Sequence, residues 1–289
     1  MRGKPHNPFN LKTVLICLFF LLFLFFILRS TFPYPQRTSP RSPAVLHPSN
    51  ASEGCPSLSN TPPTCTKIPP SLSHALVHYA TLNFTPQQTF KEISTSLKVL
   101  ENKSPCNFLV FGLGHDSLMW TALNHGGRTV FLEEDKEWIA QIKAQIPSLE
   151  AHHVSYDTKV AQAGELLEAA SSEECRVVSD PRSSKCRLAL SNFPSEIYDV
   201  EWDLIMVDAP TGYFEGAPGR MGAIYTAGLM ARNRESGESD VFVHDVDRVV
   251  EDRFSKALLC EGYLVEQEGR IRHFNIPSHR TSPSRPFCP

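Results

Sequence analysis

The chain has 289 residues, 41% of them hydrophobic, with a formal net charge of −3 and eight cysteines. That length accommodates one ordinary α/β domain plus accessory segments. No long basic run follows the amino-terminal block, so the charge pattern gives no expectation of nucleic-acid binding.

Residues 1–12 form a short tail with Arg2, Lys4 and Lys12, and the span 13–29 holds an unbroken apolar run from Val14 to Leu28. At 1.5 Å rise per residue this span is at the short end of what crosses a bilayer as a helix. A cleaved signal peptide has a run of similar length, but Ile27-Leu28-Arg29-Ser30-Thr31-Phe32 offers no small-residue cleavage site. The expectation is a transmembrane signal anchor of type II, with Arg29, Arg37 and Arg41 partly balancing the basic residues before it. Sequons at Asn50, Asn83 and Asn102 fit a lumenal body, the last weakened by Pro105. Seven cysteines lie outside the apolar run, with no C-x-x-C or zinc-knuckle spacing. Cys55/Cys65 and Cys175/Cys186 are spaced as local disulfide loops, which an oxidising lumen permits.

Residues 30–70 are rich in Pro, Ser and Thr without apolar periodicity and read as a stalk. A domain follows over 71–277. Helices are expected over 71–81 and 85–101, the second with Thr85-Pro86 as N-cap and N1. Strands at 107–111, 129–132, 153–156, 202–207 and 240–243 then alternate with helices at 117–124, 136–145, 161–170, 221–232 and 252–259. Residues 174–190 read as a hairpin or loop insertion, 263–267 and 271–275 as a closing antiparallel pair, and 278–289 as an irregular tail. This alternation predicts a Rossmann-like α/β fold, its mostly parallel sheet covered on both faces. The terminal antiparallel pair marks the class I methyltransferase variant of that fold.

In such sheets ligands bind beyond the carboxyl ends of the strands, near the switch in strand order. After the first strand comes Gly112-Leu113-Gly114, where two glycines allow a tight turn and close approach to a ligand, with Ser117 at the third fingerprint position. The second strand ends in Glu133-Glu134-Asp135, where Glu133, or Glu134 in its place, is positioned to accept ribose hydroxyls; Asp135 and Glu137 suit a helix start. Asp157 after the third strand either faces an adenine or serves a plain turn. Asp208 after the fourth strand and His244-Asp245 after the fifth would converge as an acid–base group, with Asp245 orienting the imidazole or facing the site itself. Arg220, in a Gly/Pro-rich loop, is either a bidentate partner for a substrate carboxylate or a surface cation capping local carbonyls; Tyr213 stands beside it as a second substrate contact. No diagnostic metal-ligand spacing is present, and metal dependence is left open. These residues fit any adenosine cofactor, although the lack of a Tyr-x-x-x-Lys argues against NAD.

Cys106 to Trp120, Leu123 to Asp135, Ala217 to Met221 and Val243 to Arg248 resemble the plant polysaccharide-biosynthesis family that contains glucuronoxylan 4-O-methyltransferases, a likeness covering roughly 71–277. The resemblance implies a Golgi membrane enzyme with a lumenal catalytic domain. Such an enzyme transfers methyl from S-adenosyl-L-methionine to O-4 of glucuronic acid side chains of glucuronoxylan, in company with other xylan-synthesis proteins. The family has an irregular-xylem branch with a Thr-His-Glu turn; Gly-Leu-Gly-His-Asp and Leu-Glu-Glu-Asp in this chain look like the methyltransferase branch. A non-catalytic scaffold stays open, as does a Golgi glycosyltransferase using Asp245-Val246-Asp247 as a D-x-D motif.

Overall fold

The computed structural model describes residues 68–282 and 284–289. The expected anchor, most of the stalk and the Cys55/Cys65 loop lie outside the described residues. Among those described, no helix is long and apolar enough to cross a membrane.

Two helices lead in: α1 (Pro70–Thr81) and α2 (Phe90–Lys103). The second starts later than expected because the working cap is Thr89, not Thr85. Thr89 and Glu92 form a capping box, with the Thr89 side chain accepting from Glu92 N and Glu92 Oε2 accepting from Thr89 N at 2.6 Å. Two otherwise orphaned helix donors are thereby satisfied. Tyr79 on α1 donates to His115 O and accepts from Met119 N, pinning α1 to the turn after the first strand.

The alternating part contains β1 (Asn107–Phe111), α3 (Ser117–Leu123), β2 (Arg128–Glu133), α4 (Lys136–Gln145), β3 (Glu150–His153), α5 (Ala163–Ala169) and the single turn α6 (Ser195–Tyr198). It continues with β4 (Leu204–Val207), α7 (Met221–Asn233), β5 (Glu238–Val243), α8 (Val249–Phe254), β6 (Leu264–Glu268) and β7 (Ile271–Pro277). The sheet order is β3-β2-β1-β4-β5-β7-β6, parallel through β5 and antiparallel for β7 and β6. A mostly parallel sheet ending in an antiparallel pair is what the sequence predicts.

Side chains alternate across β1: Leu109 and Phe111 join one buried cluster, Phe108 and Val110 the other. Both faces are covered, so the strands are apolar throughout rather than every second residue. Helix α7 is buried on nearly every side. Its small residues allow this close packing: a Cβ at Gly228 would lie 2.8 Å from Leu259 Cδ2, and one at Gly222 would lie 3.1 Å from Leu190 Cδ2. Residues 174–190 cover it without forming a hairpin, folding as short 3-10 turns closed by the expected Cys175–Cys186 disulfide. A second disulfide, Cys260–Cys288, pins the tail that composition marks only as irregular. Cys106 is buried and unpaired.

One strand differs from expectation. The third strand pairs over Glu150–His153, not 153–156. It is the sheet edge, and its half-exposed Glu-Ala-His-His composition lacks the apolar signal of an interior strand. Val154 and Tyr156 carry that signal instead: they are buried, but beyond the pairing.

Candidate active site

Strand order reverses between β1 and β4, whose carboxyl ends are side by side in the register Phe111↔Val207. Gly112 N donates to Leu132 O and Asp208 N donates to Phe111 O, so the glycine turn and Asp208 emerge as neighbours. Gly112 has φ +120°, and a Cβ there would sit 3.3 Å from Ala209 Cβ; only glycine takes that turn without strain. The turn opens on a cleft of about 650 Å³ lined by Gly112, Gly114, Glu133, Glu134, Asp208, Tyr213, Arg220, His244 and Asp245 among others. Nine of the ten residues singled out above therefore meet at one place. The exception is Asp157, which is exposed and does not line the cleft. The earlier end of β3 places it four residues beyond the strand, which favours the plain-turn alternative over the adenine.

On the β2 side, Glu133 is only 8% exposed. Its Oε1 accepts from Glu134 N and Asp135 N, and its Oε2 accepts from Leu113 N at 3.1 Å. The carboxylate thus braces the glycine turn, and Oε2 keeps one acceptor position for a ligand hydroxyl. Burial pushes its pKa up, against the pull of those three N–H groups. Glu134 acts elsewhere, accepting from Thr211 N and Thr211 Oγ1 across the cleft. Asp135 caps α4, accepting from Glu137 N and Trp138 N, an arrangement worth about 1 kcal/mol. Trp138 donates from Nε1 to Leu113 O, setting its indole against the same wall.

On the β4–β5 side the site is a network of charges. His244 Nδ1 lies 3.1 Å from Asp208 Oδ1 and 3.3 Å from Asp245 Oδ1, while Nε2 faces Glu92 Oε2 at 3.9 Å. Burial alone would push the imidazole down; its bonds to Asp208 and Asp245 outweigh this and hold its pKa at about 9. The same contacts, with Arg220, overcome burial and keep both aspartates below the usual carboxylate range. His244 is therefore a protonated, buried charge, and Asp208, whose side chain is 20% exposed, is the member that looks into the cleft.

Arg220 is not the free cation its loop suggests. Its Nε donates to Pro210 O, its Nη1 to His244 O, and its Nη2 pairs with Asp245 Oδ2 at 3.0 Å, with Asp208 and Glu251 also in range. With 4% of the side chain exposed, it is a buried clamp and corrects the expectation of a carboxylate-binding residue. Burial pushes Glu251 up, with Arg220 pulling it partly back. Arg248 and Arg270 are the cations that reach the cleft, each holding Asp245 at 2.8 Å with roughly a third of its side chain exposed. The backbone of Asp245 is left-handed at φ 59°, which a non-glycine residue adopts at some cost. Four acidic side chains (Glu92, Asp208, Asp245, Glu251) thus meet four cationic ones (Arg220, Arg248, Arg270, His244). Asp208, His244 and Asp245 could between them present three ligand atoms to a metal, all within 4.8 Å of one another. Those atoms are already bonded to each other and to guanidinium groups, so the charge is balanced without an added ion. Asp247 is exposed and outside the cleft, which breaks the D-x-D reading.

Five contributors have no role in the strand-end pattern of the sequence: Gln88, Glu92, Asp116, Arg248 and Arg270. Asp116 sits directly behind the glycine turn, bonded to Trp120 Nε1, with burial and the nearby Asp208 raising its pKa. Glu92 is detectable from its Thr-x-x-Glu capping signature, though not its second bond, from Arg270 N to Glu92 Oε1 at 2.7 Å. Tyr213 stands at the rim, 71% exposed, in edge contact with Phe214.

A doubly wound domain with a glycine turn, a carboxylate at the end of β2 and an acid–histidine cluster at the switch point belongs to the class of nucleoside-cofactor enzymes built on a Rossmann-like sheet. Comparison with known proteins narrows this. The chain belongs to the IRX15/IRX15L/GXM family, which matches residues 91–274. The Arabidopsis thaliana protein named Glucuronoxylan 4-O-methyltransferase 3 is 58% identical over 294 residues, covering 100% of this chain and 98% of that one. Arabinogalactan O-methyltransferase 2 from the same plant is 50% identical, covering 81% of this chain and 84% of its own. Protein IRREGULAR XYLEM 15 of that plant is 36% identical, covering 94% of this chain and 86% of its own.

Proposed function

We propose that this chain is an S-adenosyl-L-methionine-dependent O-methyltransferase that methylates O-4 of the glucuronic acid side chains of glucuronoxylan. The observation that carries the reading is the meeting of the Gly112 turn and Asp208 in one cleft, in a chain similar over its whole length to glucuronoxylan 4-O-methyltransferases. The residues present fit the cofactor. Gly112 keeps the turn open to close approach, Glu133 Oε2 offers an acceptor to a ribose hydroxyl, and Trp138 gives a flat wall. Asp208, held below the usual carboxylate range, places negative potential where a sulfonium cation is favoured.

When bound, the cofactor supplies the methyl group. The protein positions the acceptor and removes a proton. Asp208 Oδ2 faces the cleft and takes the proton of the attacking hydroxyl, and protonated His244 behind it steadies the carboxylate in one orientation. Arg248 and Arg270 line the same cleft and meet the uronate carboxylate, with Tyr213 at the rim giving a stacking face for a sugar ring. Glu134 bonded to Thr211 holds the rim loop over the cofactor side.

The same reading includes the amino-terminal membrane anchor and a Golgi lumenal site, where the two disulfides of the domain would be stable. Titration calorimetry of the purified chain with S-adenosylhomocysteine should give saturable heat. Incubation with labelled S-adenosylmethionine should label glucuronoxylan but not a xylan stripped of its uronic acids. No heat, or equal labelling of both polymers, would sink the proposal.

A further inference from the structure

Beside the main cleft lies a second, mainly apolar chamber of about 420 Å³, which shares Gln87, Leu113, Gly114, Asp116, Trp138 and Asp208 with it. Tyr79, Phe84, Ile93 and Met119 form much of its wall, and Gln88 lines it next to Asp208. Gln88 is 5% exposed, and its Nε2 donates to Asp208 Oδ2 at 3.2 Å. Asp208 only accepts, so the amide must turn its NH₂ that way. Its Oε1 is left buried with no partner. A buried amide oxygen without a donor is unfavourable, and a ligand hydroxyl is what would complete it.

We infer that Gln88 and Asp208 together read a vicinal diol of the acceptor sugar: the reacting hydroxyl donates to Asp208 Oδ2 and its ring neighbour donates to Gln88 Oε1. The inference rests on the functional reading above and explains which hydroxyl is chosen. Along the wall the contacts run from Gln88 to Asp208, then through His244 and Asp245 to Arg248 and Arg270. Asp208 thus touches a hydroxyl acceptor directly and reaches a pair of cations through His244 and Asp245, while Arg270 also donates to Gln87 O at 2.6 Å and closes the wall around the acceptor. On a glucuronic acid ring, C4 has a hydroxyl-bearing carbon on one side and the carbon carrying the carboxylate on the other. With O-4 facing Asp208, one ring neighbour reaches Gln88 Oε1 and the carboxylate is left to the cations, and the apolar chamber then receives the C–H face of the ring.

The test uses a xylo-oligosaccharide bearing glucuronic acid and its counterpart lacking the 3-hydroxyl. The wild-type chain should lose about 10- to 100-fold in kcat/KM on the 3-deoxy acceptor, because a buried acceptor stays unpaired. Gln88→Leu should turn over both acceptors at similar, reduced kcat/KM while binding S-adenosylhomocysteine as the wild type does. Equal turnover of both acceptors by the wild type would overturn the inference without any variant. So would a loss of S-adenosylhomocysteine affinity in Gln88→Leu, which would place the amide on the cofactor. No turnover of either acceptor would instead defeat the functional reading beneath it.

Discussion

Strand β5 contributes to two acid–histidine pairs, one through Asp240 within it and one through His244 directly after it, with Phe242 between them. At its carboxyl end, His244 meets Asp208 and Asp245. Nearer its amino end, Asp240 accepts from His273 at 2.6 Å and Asn275 at 3.1 Å and pairs with Lys103, while Phe242 stacks on His273 with ring centroids 4.5 Å apart. The residue types are the same and both pairs are buried. Only the first opens on a cleft, because it lies where the parallel strands end and the chain must leave the sheet. The second closes a seam between α2, β5 and β7 and lines neither of the two cavities described above. Chemistry follows from position in the fold, not from the pair itself.

Substitution at each pair should separate these roles. Asp208→Asn should lower kcat about 10³-fold, since it removes the cleft-facing proton acceptor, yet leave S-adenosylhomocysteine binding intact by calorimetry. A variant retaining more than about a tenth of wild-type kcat would end the assignment. Asp240→Ala should behave in the opposite way. It strands Lys103 and a buried histidine, so denaturant unfolding should show a loss of about 3 kcal/mol, with kcat of the folded fraction unchanged. If activity fell as steeply as stability, the distinction would fail.

The cleft pair should also leave a signature in pH. His244 has a pKa raised from 6.5 to about 9 in the folded chain, so its contribution is complete below about 6.5 and disappears as pH rises through 9. Stability should therefore fall between about pH 7 and 10 by on the order of 2–3 kcal/mol, and the melting temperature should fall with it. In His244→Asn that alkaline slope should flatten; an unchanged slope would assign it to other groups. The smallest expected effect is at the rim. Arg248→Gln should raise KM for a uronate-bearing acceptor about tenfold with little change in kcat, since a partly exposed cation is lost while Arg270 stays. An unaltered KM would shift carboxylate recognition away from this pair.

Much of this architecture is legible in the sequence, for local reasons. Each interior parallel strand contains a short apolar run, and Gly112, Glu133, Asp208 and His244 directly follow such runs, so reading the strand ends is enough to find them. The edge strand escapes because pairing on one side only does not demand an apolar sequence, and that error carries Asp157 with it. Arg220 misleads because a Gly/Pro-rich loop looks solvent-exposed until its packing is known. Gln88 and Glu92 reach the site across sequence separations of 120 and 178 residues to their partners Asp208 and Arg270, which no local pattern encodes. The Cys260–Cys288 bridge is hidden for the same reason, its partners being 28 residues apart without a motif.

The balance of four acids against four cations bears on how this site can change over generations. Neutralising any one member leaves its opposite bare in a buried setting, so single exchanges should be harmful even where the altered side chain never touches a ligand. Exchanging two partners together, such as Arg220 with Glu251, removes one charge of each sign and should cost less than the sum of the two separate changes. A lineage drifting toward a new acceptor would find its freedom at Tyr213 and Phe214 on the open rim, where one step at a time is tolerated. The charged floor would move only by paired steps, and so would outlast the specificity built above it.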